Sequence, residues 1–138
     1  MAIQHTFGAL STAKLASCAP RLAAVARRAL EISPYDFTIV YGYRDQKDQD
    51  AAVAAGKSKT PWPTSMHNRN PSHAIDFAPI FGKVIPWDDT HIFAVVAGCF
   101  MAAGQELGTP IRWGGDWDAD GSTKDQTLMD WGHVELAP

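Results

Sequence analysis

Apolar residues first recur at helical spacing in Leu22, Val25, Ala26, Ala29 and Leu30, which follow Pro20 and are stopped by Ser33-Pro34. Steps of three and four put them on one stripe, and proline suits the first turn of the helix they predict. Upstream, Ser11 is placed to cap a shorter helix. From Phe37 to Tyr43 the pattern changes to a β-branched and aromatic run, which predicts a buried strand delivering Arg44 at its exit. Asp45 then caps a helix that Gly56 ends.

Residues 57–72 carry three prolines and no periodicity, so they read as a binding loop, because structureless stretches of that length in a small domain are usually functional. A strand over His73 to Pro79, a turn at Phe81-Gly82-Lys83 and a second strand over Val84 to Trp87 form an expected hairpin. Asp88, Asp89 or Thr90 opens a long core helix with an apolar stripe of Ile92, Val95, Val96, Cys99, Phe100, Ala103 and Leu107, which Gly108 ends. A short strand at Ile111 to Trp113, a Gly/Asp-rich loop over 114–130 and a last strand over Gly132 to Leu136 complete the chain. Helices first, then short strands with hairpin-length links around one long helix, predict an α+β fold. In it a small antiparallel sheet packs against the long core helix and the N-terminal helices.

With 138 residues the chain has room for one domain on one core, taken as residues 1–138. Its 46% hydrophobic and 20% charged residues exclude disorder as the main state. Twelve Lys and Arg against 15 Asp and Glu give a net charge of −3, the wrong sign for holding nucleic acid through its phosphates. The longest apolar stretch, Ile92 to Ala103, falls far short of the roughly 20 residues of a membrane span. Only Lys14 precedes Cys18 as a positive charge and no unbroken apolar run follows it, so the N-terminal stretch does not read as a secretory signal. Cys18 and Cys99 stand apart without a CxxC, and read as small buried apolar residues.

Candidate chemistry gathers in three places: His67 with Asp76, Asp130 with His133, and the acidic run Asp116, Asp118, Asp120. Zinc accepts imidazole and carboxylate ligands, and a catalytic site keeps three of them with one position open, a count that His67, Asp76 and His133 satisfy. Strand parity points His73 away from Asp76 and so out of the site. The His67 to Asp76 spacing is weak alone, but SMHNRNPSHAIDFAP followed by WGGDW and DWGHVEL is a specific combination. It resembles the zinc peptidases that include the D-alanyl-D-alanine carboxypeptidases and the phage L-alanyl-D-glutamate peptidases, endolysins that cut peptidoglycan stem peptides. The resemblance runs from the helix before SPYDFTIVYGYR to the C-terminal GHVEL.

That resemblance implies zinc ligands at His67 in Ser65-Met66-His67, at Asp76 in Ala74-Ile75-Asp76, and at His133 in Asp130-Trp131-Gly132-His133. Asp130 becomes the catalytic carboxylate and Arg44, in Gly42-Tyr43-Arg44, the group that polarises the scissile carbonyl and steadies the oxyanion. The family's commoner metal motif is shorter between its His and Asp and carries a glycine where Pro71-Ser72 stands, an insertion within Asn68 to Ser72. In a straight strand Asp130 and His133 would face opposite ways, so Gly132 is expected to permit a bend that brings both to the metal. The expected substrate is a peptidoglycan stem peptide, cut by a monomer that accumulates in the host cytoplasm until released to the wall. A D-Ala-D-Ala carboxypeptidase or dipeptidase is the alternative within the class. A non-catalytic metal-stabilised wall-binding module is the alternative outside it, against which Arg44 and Asp130 both argue.

Asp116-Trp117-Asp118-Ala119-Asp120-Gly121 opens like an EF-hand calcium loop, with oxygen donors at alternate positions and glycine at the sharp turn. Its twelfth position is Thr127, so the bidentate glutamate is missing, and Asp125 is the only nearby substitute. A solvated acidic turn is the competing reading. Trp62, Trp87, Trp113, Trp117 and Trp131 suit either a peptide or sugar surface or the core, and Lys57, Lys59 and Arg69 concentrate positive charge in the long loop, where a carboxylate-bearing substrate would fit.

Overall fold

Helix α1 spans Ala9–Ala16 and starts after Gly8, three residues earlier than a Ser11 cap would place it. Ser11 turns inward instead. Its hydroxyl lies 2.9 Å from Thr38 Oγ1 and accepts from Ile39 N at 3.0 Å, so it ties the helix to the first strand rather than satisfying a helix N–H. The computed structural model describes residues 5–124 and 130–138. Helix α2, Pro20–Ile32, carries proline in its first turn and buries Leu22, Val25, Ala26, Ala29 and Leu30, the stripe the spacing predicts.

Strand β1, Phe37–Tyr41, buries Phe37 and Ile39 and ends where Gly42 begins the turn to Arg44. Asp45 caps α3, Gln46–Ala54, with Oδ1 accepting from Asp48 N at 2.9 Å, and Gly56 follows the helix at φ +74°. Strand β2, Ala74–Pro79, starts one residue after His73. The expected hairpin is only a turn: Phe81 and Val84 form a single bridge, and no strand runs over Val84 to Trp87. Val84 and Trp87 are 66% and 62% exposed, and an apolar run with no neighbouring strand to pair with does not become one.

Helix α4, Thr90–Glu106, is capped by Asp89, whose Oδ1 accepts from Ile92 N. Of its expected stripe only Val96, Phe100 and Ala103 are buried; Phe93, Ala97 and Gly104 complete the inner face, while Val95 and Leu107 are exposed. The helix is apolar nearly all round, so its periodicity fits more than one face, and packing on α2 and the sheet selects among them. Strands β3, Ile111–Trp113, and β4, His133–Leu136, complete a four-stranded antiparallel sheet in the order β1-β2-β4-β3. This is the α+β arrangement the element order predicts.

One sheet face meets the helices and the other carries the chemistry. Ile75 and Phe77 of β2 and Val134 and Leu136 of β4 enter the core, and the Phe100 ring stacks on Phe77 at 5.0 Å and meets Phe37 at 5.2 Å. Strand alternation turns Asp76, His133 and Glu135 the opposite way. Phe100→Ala would leave a cavity at the meeting point of α4 and two strands, and should lower unfolding free energy by about 3–5 kcal/mol in chemical denaturation.

Candidate active site

Asp76 and His133 are 57 residues apart in the chain and direct cross-strand partners in the β2–β4 ladder, which sets their side chains next to each other on one face. His67 arrives from the long loop on a single 3-10 turn, Met66–Asn68, capped by Ser65. The turn is clamped to the exit of β1, where Arg44 N donates to the His67 carbonyl at 2.8 Å and Asn68 Nδ2 to the Arg44 carbonyl at 2.9 Å. Gly42 makes this approach possible: a Cβ there would lie 2.5 Å from the Lys14 carbonyl and 2.6 Å from Ser17 Oγ, so only glycine fits against the end of α1.

One oxygen of Asp76 receives both imidazoles. Oδ1 lies 3.1 Å from His67 Nε2 and 3.0 Å from His133 Nδ1, while Oδ2 accepts from Arg44 Nη2 at 3.3 Å. The other ring nitrogens are held from behind. His67 Nδ1 donates to the Gly42 carbonyl at 2.8 Å, an acceptor that fixes the tautomer, and His133 Nε2 meets Glu135 Oε1 at 2.8 Å. Glu135 in turn accepts from Arg112 Nη2 at 2.8 Å. One ligand atom from each of His67, Asp76 and His133 falls within a 4.8 Å group, and each imidazole is oriented by an oxygen on its far side, the arrangement metal-binding histidines use. Two imidazoles and one carboxylate are also the donor set that zinc takes at catalytic sites, so these residues fit the metal.

Asp130 stands beside the group. Its Oδ2 is 3.8 Å from His133 Nδ1, and its side chain is half exposed to the cleft. It precedes β4 in a turn over Trp131-Gly132 closed by His133 N donating to the Asp130 carbonyl, which is the expected bend that brings the two side chains together. Gly132 is needed for a different reason from the expected one. Its φ lies outside the left-handed region, but a Cβ would come within 2.6 Å of the Phe77 carbonyl and 3.2 Å of the Phe93 ring.

Arg44 is buried, with Nη1 donating to Gln49 Oε1, its guanidinium 4.5 Å from the Tyr41 ring centroid, and Nε without a partner among the described residues. Trp117 packs its ring 5.4 Å from the His133 ring. The cleft over these groups has a volume of about 490 Å³, and its far wall is Lys57, Ser58, Lys59 and Thr60. Arg69 and His73 do not line it. Among the other tryptophans Trp113 is buried in the core and stacks near Trp131 at 5.6 Å, and both cysteines are free thiols.

Burial opposes charge on Asp76, yet the charge of His67 and the hydrogen bond from His133 hold its carboxyl well below the usual carboxylate range. Burial likewise opposes protonation of His133, and its hydrogen bonds to Asp76 and Glu135 overcome this and push it up to about 10. Burial would raise Glu135, but His133 and Arg112 bring it below its ordinary value. Asp130 is raised: desolvation in the cleft wall leads, His133 opposes it, and the negative charge of Asp76 adds to it.

These directions set the pH response of chelator-treated protein. The His133 contribution to stability is full below its unfolded pKa of about 6.5 and is lost as pH rises through about 10. The Asp76 contribution is present above its unfolded pKa of about 4 and is lost as pH falls. The Tm of chelated protein should therefore be highest between about pH 4 and 6.5 and fall toward pH 10, and a calorimetric Tm that climbs over that upper range would contradict the assignment.

Asp116, Asp118 and Asp120 also form a group with carboxylate oxygens within 4.8 Å. Each makes a local turn contact: Asp116 Oδ2 accepts from Gly121 N, Asp118 Oδ1 from Asp120 N, and Asp120 Oδ1 from Ser122 N. Asp125 and Thr127 lie outside the described residues.

Glu135 and Gln49 escaped the sequence reading. Glu135 was within reach, since period-two alternation from His133 puts both on one strand face. Gln49 has no such signal: it is a fully buried amide on an otherwise solvated short helix, and only the fold shows what it joins.

Two imidazoles and two carboxylates stand around an open cleft with a guanidinium against one carboxylate, and His67, Asp76 and His133 among them form a group that could hold a metal ion. Over residues 3–137 the chain matches the phage L-alanyl-D-glutamate peptidase family, and it belongs to that family. It is 44% identical over 133 residues to the L-alanyl-D-glutamate peptidase of Escherichia phage T5, covering 94% of this chain and 96% of that protein. The fold is similar to the crystal structure of the Serratia marcescens L-Ala D-Glu endopeptidase ChiX, with a TM-score of 0.79, 30% identity, and coverage of 97% of this chain and 91% of that one. Among the described residues no helix is long and apolar enough to cross a membrane.

Proposed function

We propose that this protein is a zinc-dependent peptidase of the phage endolysin type that hydrolyses the L-alanyl-D-glutamate bond of peptidoglycan stem peptides. The observation that carries the reading is the convergence of His67 Nε2, Asp76 Oδ1 and His133 Nδ1 on one point of the cleft floor, with Asp130 and Arg44 beside it. Family membership supplies the substrate class.

His67, Asp76 and His133 would hold the ion, and zinc, when bound, would supply Lewis acidity and lower the pKa of water there toward about 7. The carboxylate of Asp130 takes the proton of the attacking water and passes it to the leaving amine nitrogen. Arg44 holds Asp76 in place through Nη2 and presents positive charge where the tetrahedral oxyanion develops. Gln49 keeps the guanidinium from swinging away.

Digestion of purified peptidoglycan, with and without chelator and with zinc restored, tests this when the released ends are identified by mass spectrometry. New D-glutamyl amino termini that vanish with chelator and return with zinc are the expected result. Release of free D-Ala would move the activity to a carboxypeptidase, and no product under any metal condition would leave a metal-stabilised wall-binding module.

For the acidic loop, the donor chemistry of Asp116, Asp118 and Asp120 and the buried, unpartnered Asp116 Oδ1 favour calcium as an ion that orders the segment beside Asp130. Millimolar calcium should then raise activity or Tm; constancy of both removes the idea in favour of an acidic turn closed by its own backbone.

A further inference from the structure

Two hollows of different character meet at the reacting centre. Asp76 and Asp130 line both of them. On one side is the large cleft walled by Lys57 to Thr60; on the other is a hollow of about 300 Å³ whose remaining walls are Val40, Phe77, Trp87, Phe93, Trp131 and Gly132. Trp87 closes that apolar side with its ring stacked 6.0 Å from Phe93.

The cationic wall is built into the fold. Gln49, fully buried, donates through Nε2 to Ser58 Oγ and to the Thr60 carbonyl, while its Oε1 accepts from Arg44 Nη1 and Asn68 Nδ2. The loop is thus bolted to the same amide that positions Arg44, and Lys57 N and Ser58 N both return to the Ala52 carbonyl at the end of α3. Lys57 and Lys59 stay exposed, and every ion pair among the described residues belongs to Arg28, Arg44, Arg112, His67 or His133. Lys57 and Lys59 therefore line a cleft that Asp76, Asp130 and Glu135 also line, in a chain of net charge −3. Arg44 gives Nη1 to Gln49 and Nη2 to Asp76.

The proposed substrate is asymmetric in the same way. On the acyl side of the scissile bond the alanyl methyl is neutral. On the amine side a D-glutamyl residue has two carboxyl groups, and the stem peptide continues through only one, so the other remains a charge close to the leaving nitrogen. We propose that Lys57 and Lys59 recognise that free carboxylate, and that the cationic wall and the apolar hollow together set the direction in which the stem peptide lies across the site. The proposal rests on the peptidase reading above. It predicts that amidation of this carboxyl weakens the substrate, and that the discrimination resides in the two lysines.

The experiment compares kcat/KM for two synthetic peptides, N-acyl-L-alanyl-D-glutamyl-L-lysine linked through the glutamyl side chain, with the remaining carboxyl free or amidated. Zinc-loaded wild type should prefer the free acid by about 5- to 10-fold, the scale of two partly exposed charge contacts, mainly through KM and less at high salt. K57A/K59A should bring the ratio to about 1–2, and K57R/K59R, which keeps the charges, should restore it. A ratio near one in wild type, or one unchanged in K57A/K59A, overturns the proposal and leaves the peptidase reading intact. Inactivity of zinc-loaded wild type on both peptides removes both.

Discussion

Asp130→Ala should reduce hydrolysis of stem peptides by about 10²- to 10⁴-fold, the usual contribution of a positioned proton carrier, while the purified protein keeps its zinc. The separation of the two effects follows from geometry. Asp130 stands outside the His67, Asp76, His133 group, with Oδ2 3.8 Å from His133 Nδ1, so its removal leaves the three donors in place. Its side chain is half exposed and reaches the buried His133 only at 3.8 Å, while Asp76 and Glu135 hold that ring at 3.0 and 2.8 Å, so the fold should survive the change. Turnover and zinc content measured on one preparation decide the matter; turnover near wild type would assign Asp130 to the turn alone.

Asp76→Asn should have a larger effect by another route. A single carboxylate here meets both imidazoles through Oδ1 and the buried Arg44 through Oδ2. An amide keeps the shape but has one acceptor oxygen and turns an NH2 toward donors, which leaves either the ring nitrogens or the guanidinium without an acceptor. Loss of a partner one step removed from a metal already costs about 10–100-fold in affinity, and losing a direct ligand should cost more than about 100-fold. Activity should fall to background, and zinc at the concentration that restores chelated wild type should not rescue it. Competition with a chromophoric chelator reads the affinity, and stoichiometric zinc at wild-type affinity in the variant would exclude Asp76 as a ligand.

The two substitutions would thus separate the proposed proton carrier, Asp130, from the proposed metal ligand, Asp76. The distinction was partly legible in the sequence. His67, Asp76, His133, Asp130 and Arg44 were all marked by motif and resemblance, and the structure brings them to one cleft. Helix α2 was legible because it buries one face, so that hydrophobic spacing and burial coincide, and the strands carrying Asp76 and His133 were legible as short runs buried along nearly their whole length.

The failures have local causes. Ser11 looks like a cap because serine often is one, but the nearest unsatisfied donor in the fold is Ile39 N on a strand 28 residues away. Helix α4 offers apolar residues on several sides, so the choice of Phe93 and Ala97 over Val95 and Leu107 was not contained in its spacing. The bend expected at Gly132 is present, but what requires glycine there is the Phe77 carbonyl of a neighbouring strand rather than its own backbone angle.

By itself, then, the sequence determined the kind of element at most positions and marked residues that come to line one cleft, because side-chain chemistry and short-range periodicity are written residue by residue. The tertiary structure alone decided what those groups meet. The pairing of Asp76 with His133 across 57 residues, the Glu135 carboxylate behind His133, and the Gln49 amide joining Arg44 to the lysine wall are contacts between distant segments. Local pattern carries no record of such contacts, since they arise only when the sheet register and the packing of α4 close the chain on itself.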